Sequence, residues 1–414
     1  MSPRIGFGEQ IDVNYHNDLL AMEAYEKVFD ILKDVGDIRM CLPGWEASGV
    51  VLDDLLKPKR LQFDVVGGVT LAQPGLMHNV PWLNGTTGYL KQKAFEENIE
   101  TPSATQELQA TGAIAAQKLN PAEVVFGKLS FVRLKLIKEG APNGSVKVEI
   151  RTAKDSAAIT NGTSDLVACS DIPTSARDCG FYFSTTPDLA KNVDYWIALL
   201  YAGNTNASAD INIGWRYKEA TSAYGQGRHY YNGSAWTDTA TEDHWFDMYR
   251  HDLRLTDSFS IFILAKPTLK FARGLISWAS DPSVGLVTQF APYTAGQFSW
   301  RIADDLARNL VGDFWILGII SSFAATFEKT TTNVITGYQD GVATGAMNGG
   351  ANTAPAKMAQ PFVIGAVVST AGVMGTFWQG LIGPVIVCDG VISAQKMREL
   401  HYATMPLRLM QGGV

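Results

Sequence analysis

The stretch "VPWLNGTTGYL", residues 80–90, decides how this chain is read. An apolar run meets the turn dipeptide Asn84-Gly85, and Tyr89-Leu90 then resumes an extended pattern. Such a pattern predicts a strand, a tight turn and a second strand that needs a neighbour. The residues that follow, "KQKAFEENIETPSATQELQATGAIAAQKLN" (91–120), are polar and Ala-rich with little strand character. The partner of Tyr89-Leu90 must therefore lie elsewhere in the chain.

Upstream of this stretch, residues 14–36 predict a helix. Leu20, Ala24, Val28 and Leu32 share a face, Asn17 or Asp18 suits the start, and Gly36 suits the end. Such a helix either covers a sheet or projects as a peg that anchors the protein to a larger assembly. From residue 37 the pattern is extended: "DIRMCLPGWEASGVVLDDL" and "LQFDVVGGVTLAQPGL" carry strands divided by Pro-Gly and Gly-Gly turns.

Downstream, residues 118–252 read as one unit of short alternating strands. "FVRLKLIKEG", "GSVKVEIRT" and "NVDYWIALLYAG" are followed by "RHYYNGSAWTD", a hairpin over Asn232-Gly233. Strands at this spacing, joined by Gly and Asn turns, predict a β-sandwich. "FSIFILAKPT" (259–268) is apolar on both faces, which places it centrally in a sheet. Asp340-Gly341 joins two extended runs as a hairpin, and Ser393 caps a final short helix with Met397 and Leu400 facing inward.

Composition agrees. Of 414 residues, 46% are hydrophobic and only 18% charged, and the 39 glycines suit many turns. The net charge is −7 without a Lys/Arg stripe, so no nucleic-acid partner is expected. "MSPRIGFGEQIDVNYHND" has no apolar leader core, so no signal peptide is expected. The longest apolar run, "FVIGAVVSTAGVMGTFW" (362–378), is broken by glycine and too short to span a membrane. Cys41, Cys169, Cys179 and Cys388 lack metal-type spacing. Cys169 and Cys179 either pair locally or remain free thiols. Five N-x-S/T triplets (Asn84, Asn143, Asn161, Asn206, Asn232) are read as turns, since four of them are Asn-Gly.

The C-terminal run "FWQGLIGPVIVCDGVISAQKMREL" resembles the closing signature of the concanavalin A-like (laminin-G-like) jelly-roll family. Phe377, Gly380, Ile382, Val385, Val387, Ser393, Met397 and Leu400 occupy the matching roles. "YQDGVATG", "FVIGA" and the opening "YEKVFDILKDVGDIRMCLPGWEASGVVLDDL" resemble further parts of that family, and "QPGLMHNVPWLNGTTGYL" does so with Leu83 and Asn84 where Phe and Asp are commoner. In that family a strand like "FSIFILAKPT" follows the Tyr-Leu strand, so the resemblance implies the missing partner at 257–266. It implies an all-β fold: a concanavalin A-like jelly-roll sandwich (37–95 and 253–405) interrupted by a second jelly-roll-like β-sandwich (118–252). A linker (96–117), an N-terminal anchor segment with a short N-terminal helix (1–36) and a tail (406–414) complete it. Lengthening a surface loop adds only ~0.6 kcal/mol per doubling when its ends stay close. The inserted unit resembles jelly-roll modules of bacterial surface proteins and bacteriophage virion proteins.

Glycosidases on this scaffold carry two carboxylates on alternate residues of one strand. No such run occurs: Glu242-Asp243, Asp304-Asp305 and Asp53-Asp54 are adjacent pairs and read as surface carboxylates. No G-x-S-x-G is present, and the six histidines lack metal-site spacing; His229, His244 and His251 are the only ones close in sequence. No catalytic residue, metal or cofactor is therefore expected. Aromatics crowd the last part of the inserted unit: Trp215, Tyr217, Tyr224, Tyr230, Tyr231, Trp236 and Trp245. Tyr230, Tyr231 and Trp236, near the hairpin tip, are the candidate rings for stacking on sugars. The expectation is a non-enzymatic surface protein of a bacteriophage virion (capsid decoration, head fibre or tail adhesin). Other virion proteins and a host-surface glycan would be its partners, as homo-oligomers or copies imposed by the assembly. A polysaccharide-degrading enzyme and a cellular surface lectin are the alternatives.

Overall fold

The computed structural model describes residues 13–42, 51–53, 62–73, 80–84, 86–119, 127–220, 222–250, 258–268, 275–279, 287–292, 297–301, 309–314, 319–330, 334–348, 362–368, 374–375 and 377–405. Within them the protein is all-β, with antiparallel strands and two helices, α1 (Val13–Leu32) and α2 (Ala394–Ala403).

The first sandwich is built from strands on both sides of residues 96–249. One sheet runs Val342–Asn348, Val334–Gln339, Ser321–Glu328, Phe259–Pro267, Gln379–Asp389, Val80–Asn84, Val69–Gln73, with Ile38–Leu42 also paired to Gln379–Asp389. The facing sheet contains Gln62–Val66, Tyr89–Gln92, Val363–Ile364 and Ile276–Ala279 in that order. Phe259, Ile261, Ile263 and Ala265 point into the core between the sheets with Leu83, Leu90, Phe323, Trp378 and Val385. The alternate residues Phe262 and Leu264 point the other way, onto α1 and α2. Strand Phe259–Pro267 is thus central and buried on both faces, as its largely apolar run dictates.

The opening stretch resolves differently from expectation. Val80–Asn84 and Tyr89–Gln92 are not a hairpin; they belong to the two opposite sheets. The Asn84 side chain is the cause. Its Oδ1 accepts the N–H groups of Thr86, Thr87 and Gly88 at 2.9–3.1 Å, which wraps the chain from one layer to the other. Leu90 pairs with Val65 and Ile364 rather than with 257–266, whose own neighbours are Ser321–Glu328 and Gln379–Asp389. Leu90 and Ile261 still meet, through the core, from facing sheets.

The helix begins before Asn17 and Asp18, so neither caps it. Ala24, Tyr25, Val28 and Leu32 are buried against the sheet and α2, so this face is packed inside the protein and is not free to anchor it elsewhere. Ser393 caps α2 by accepting from the Lys396 N–H at 3.3 Å, and Met397 and Leu400 face the sheet. Asp340 (φ +50°) and Gly341 (φ +76°) make the expected hairpin. A side chain at Gly341 would lie 2.9 Å from the His401 Cβ, so glycine is what lets α2 approach the turn.

Among the described residues the second sandwich contains no strand from outside 96–249. One sheet has Asp243–His244, Asn212–Lys218, Phe131–Glu139, Phe246–Tyr249 and Glu96–Asn98 in order; the other has Ala158–Thr163, Ser145–Arg151, Trp196–Ala202, Ile114–Lys118, Arg228–Tyr231 and Trp236–Thr239. Residues 96–117 are therefore no linker: Glu96–Asn98, Ala104–Glu107 and Ile114–Lys118 are strands, the last of them internal to its sheet. Ala-rich sequence has low strand preference in isolation, but Ala113 and Ala115 are wholly buried among larger core side chains. The incoming and outgoing strands are hydrogen-bonded neighbours: Phe95 N–H donates to Met248 O at 3.0 Å, and Glu97 stands opposite Asp247. The loop-closure requirement for a long excursion is met by that pairing.

Candidate functional site

Strands Arg228–Tyr231 and Trp236–Thr239 form the edge hairpin of the second sheet. Its tip is set by Asn232, whose Oδ1 accepts from the N–H groups of Ser234 (2.9 Å) and Ala235 (3.0 Å), and by Gly233 at φ +99°. Strand alternation then divides the three candidate rings. Tyr231 and Trp236 are a cross-strand pair on the outward face, ring centroids 5.3 Å apart at 38°, both half-buried. Tyr230 faces the other way, packs against the inter-sheet core, and burial raises its phenol pKa. It is removed from the candidate surface because adjacent strand residues cannot share a face.

The next cross-strand pair on the outward face is His229 and Asp238. Lys154 reaches them from the turn after Ser145–Arg151. Its Nζ donates to both Asp238 oxygens, 2.6 Å to Oδ1, and lies 5.4 Å from the centre of the Trp236 ring. His229 Nδ1 is 2.8 Å from Asp238 Oδ1. Hydrogen bonds from Lys154 and then His229 hold the Asp238 carboxyl below its ordinary range. Across the sheet the same row continues through Ala116, Ala198 and Glu149. The result is a flat polar and aromatic surface: two rings, a carboxylate and an ammonium within one hairpin's reach. Alternation within "RHYYNGSAWTD" was enough to put His229 and Asp238 beside Tyr231 and Trp236; nothing in the sequence brings Lys154 there.

The remaining aromatics of the cluster are structural. Trp215 is fully buried, stacks on His244 at 4.1 Å and donates from Nε1 to Trp245 O at 2.7 Å. The Arg228 guanidinium lies 4.1 Å from the Tyr217 ring, and Tyr224 donates its hydroxyl to Glu96.

Other groups with chemical potential are committed elsewhere. Asp243 is wholly buried, not a surface carboxylate. It accepts from Gln117 Nε2 (2.7 Å) and from the N–H groups of Gly225, Gln226 and Gly227, because the loop 225–227 needs an acceptor. Its neighbour Glu242 pairs with Arg228 at 2.6 Å. Asp304-Asp305, Asp54 and His251 lie outside the described residues. Ser322, His401 and Asp340 come together, but Ser322 Oγ (3.1 Å) and Asp340 Oδ1 (3.7 Å) both approach His401 Nδ1. A nucleophilic triad needs them on opposite ring nitrogens. Ser322 is also buried, so this group ties α2 to the sheet. All four cysteines are buried, and burial pushes the Cys169 thiol up to about 11 and the Cys388 thiol to about 12. Among the described residues no cluster of three or more His, Cys, Asp or Glu is placed to hold a metal ion. No described helix is long and apolar enough to cross a membrane.

No family model and no curated protein matches the chain. Several solved structures are similar over part of it. The CBM40 of the Ruminococcus gnavus IT-sialidase, bound to α2,6-sialyllactose, is 15% identical with a TM-score of 0.31, covering 36% of this chain and 84% of that one. The heptameric SAP-like pentraxin from Limulus polyphemus is 13% identical with a TM-score of 0.29, covering 35% and 71%. A Trypanosoma rangeli sialidase mutant displaying trans-sialidase activity is 9% identical with a TM-score of 0.39; the match covers 95% of this chain but 39% of the sialidase.

Proposed function

We propose that this protein is a non-enzymatic glycan-binding protein whose ligand lies across the outward face of the edge hairpin. The observation that carries this reading is the Tyr231–Trp236 pair: two half-exposed rings held side by side next to hydrogen-bonding Asp238 and Lys154. An apolar ring face against a sugar's C–H face, with polar groups at its edge for hydroxyls, is the chemistry of carbohydrate recognition. Within this reading the protein is displayed on a bacteriophage particle, where it contributes contacts to other virion proteins and adhesion to a host glycan. That part rests on the likeness of the 118–252 sequence to surface modules.

The direct test is a glycan array followed by calorimetry on the wild type and Trp236→Ala. Removal of the ring lowers affinity at least about ten-fold, equivalent to ~1.4 kcal/mol. Equal binding by both proteins rejects the site. Release of reducing ends from a host polysaccharide rejects the non-enzymatic part, and absence of the protein from purified particles rejects the virion part.

A further inference from the structure

The same face also specifies which class of sugar it takes, an inference that rests on the glycan-binding reading above. Residues paired in register share a face, so among the described strand residues the outward surface of this sheet carries Lys147, Arg151, Lys118 and His229 as its basic groups, and Lys154 reaches it from the turn after Arg151. Every one already has an acidic partner. Lys147 and Arg151 both hold Glu149 at 2.6 Å, Lys118 holds Asp194 at 3.1 Å, and Lys154 and His229 hold Asp238. At the aromatic pair the exposed member is the acid: the Asp238 side chain is 52% accessible, Lys154 24% and His229 16%. The protein as a whole carries −7.

We propose that this face takes neutral sugars, reading a pair of adjacent hydroxyls through Asp238 and Lys154, and rejects sugars bearing a carboxylate. Asp238 has oxygen lone pairs directed to solvent and accepts from one hydroxyl; Lys154, anchored beside it, donates to the next. The neighbouring Trp236 ring receives the sugar's apolar face. A carboxylated sugar finds no unpaired cation here and meets the exposed Asp238 charge, a repulsion only partly screened at physiological ionic strength.

The experiment uses the full chain against matched neutral and uronic-acid oligosaccharides of the same backbone, with wild type, Asp238→Asn and Trp236→Ala. Wild type is expected to bind the neutral member at least about ten-fold tighter. Asp238→Asn is expected to lower neutral binding about ten-fold and to narrow or invert the preference, because the repelling charge is gone and Lys154 is released. Thermal unfolding midpoints establish that both variants are folded. Equal or tighter binding of the uronic-acid member by wild type overturns the proposal, as does unchanged neutral binding by Asp238→Asn. Failure of wild type to bind any oligosaccharide, neutral or acidic, overturns the glycan-binding reading itself and this inference with it.

Discussion

The two sandwiches keep their polar atoms in different ways. In the first, the buried polar residues that belong to strands are small hydroxyls: Ser260, Ser277, Ser321, Ser322 and Thr326, beside Gln92. Its helix-backed sheet is covered on both faces, by the opposite sheet and by α1 and α2. In the second, six charged side chains are buried, Arg133, Glu149, Arg151, Asp178, Asp243 and Asp247, and among the described residues of the first there are none. Arg133 is the centre of one network. Its Nε donates to Asp247 Oδ1 at 2.8 Å, an Nη donates to the second Asp247 oxygen, and Asp178 and Tyr249 lie at 3.4 and 3.3 Å. The comparison teaches that a sheet backed by helices can be apolar on both sides. A sheet without helices has outward residues that are polar, and large flanking side chains enclose them, so each must find a partner.

Four measurements break or sharpen this contrast. The largest effect is expected from Arg133→Met, which leaves Asp247 buried and unpaired; urea unfolding of the second sandwich should show a loss of about 3–5 kcal/mol. The double variant Arg133→Met, Asp247→Leu should recover most of that loss. A single-variant loss below about 1 kcal/mol would mean that buried charge does not distinguish the two halves. Next comes Leu32→Ala in α1, wholly buried on the first sandwich, with an expected loss of about 3 kcal/mol. No change in the first sandwich's unfolding would show that α1 is not integral to it.

The third test is acid. His244 is wholly buried, and burial, followed by the nearby Arg228 charge, pushes its pKa well below 6.5. The unfolded chain takes up a proton below about pH 6.5 that the folded protein refuses, so this contribution is complete above that pH and is lost as pH falls. The loss grows as pH falls below that value, and His244→Phe should make the difference between unfolding at neutral and acid pH smaller in the second sandwich. An identical acid slope in wild type and variant contradicts the assignment. The smallest effect, ~1 kcal/mol by thermal unfolding, is expected for Ser393→Ala at the α2 cap.

How much of this was legible beforehand varies with the range of the interactions. Period-two alternation over 259–266, the Asp340-Gly341 turn and the Ser393 cap depend on neighbours in sequence, and all three are present. The Asn84-Gly85 dipeptide misled because the Asn84 side chain accepts three N–H groups and carries the chain between the two sheets instead of pairing the flanking strands. Ile114–Lys118 was unreadable as a strand because alanine is chosen there by what packs around it. Arg133 and Asp247 lie 114 residues apart, and no pattern in either segment announces the other. At the candidate site, Tyr231 and Trp236 follow from alternation, Tyr230 is excluded by the same rule, and Lys154 required the folded chain.

The side-by-side crossing at Phe95 and Met248 has an evolutionary corollary. A module whose two ends meet at one hydrogen-bonded pair is a cassette: it can be lifted out, or exchanged for another of any size, by recombination at a single seam. Lineages carrying the helix-backed body should therefore differ most abruptly at that seam, with unrelated heads seated on a common chassis.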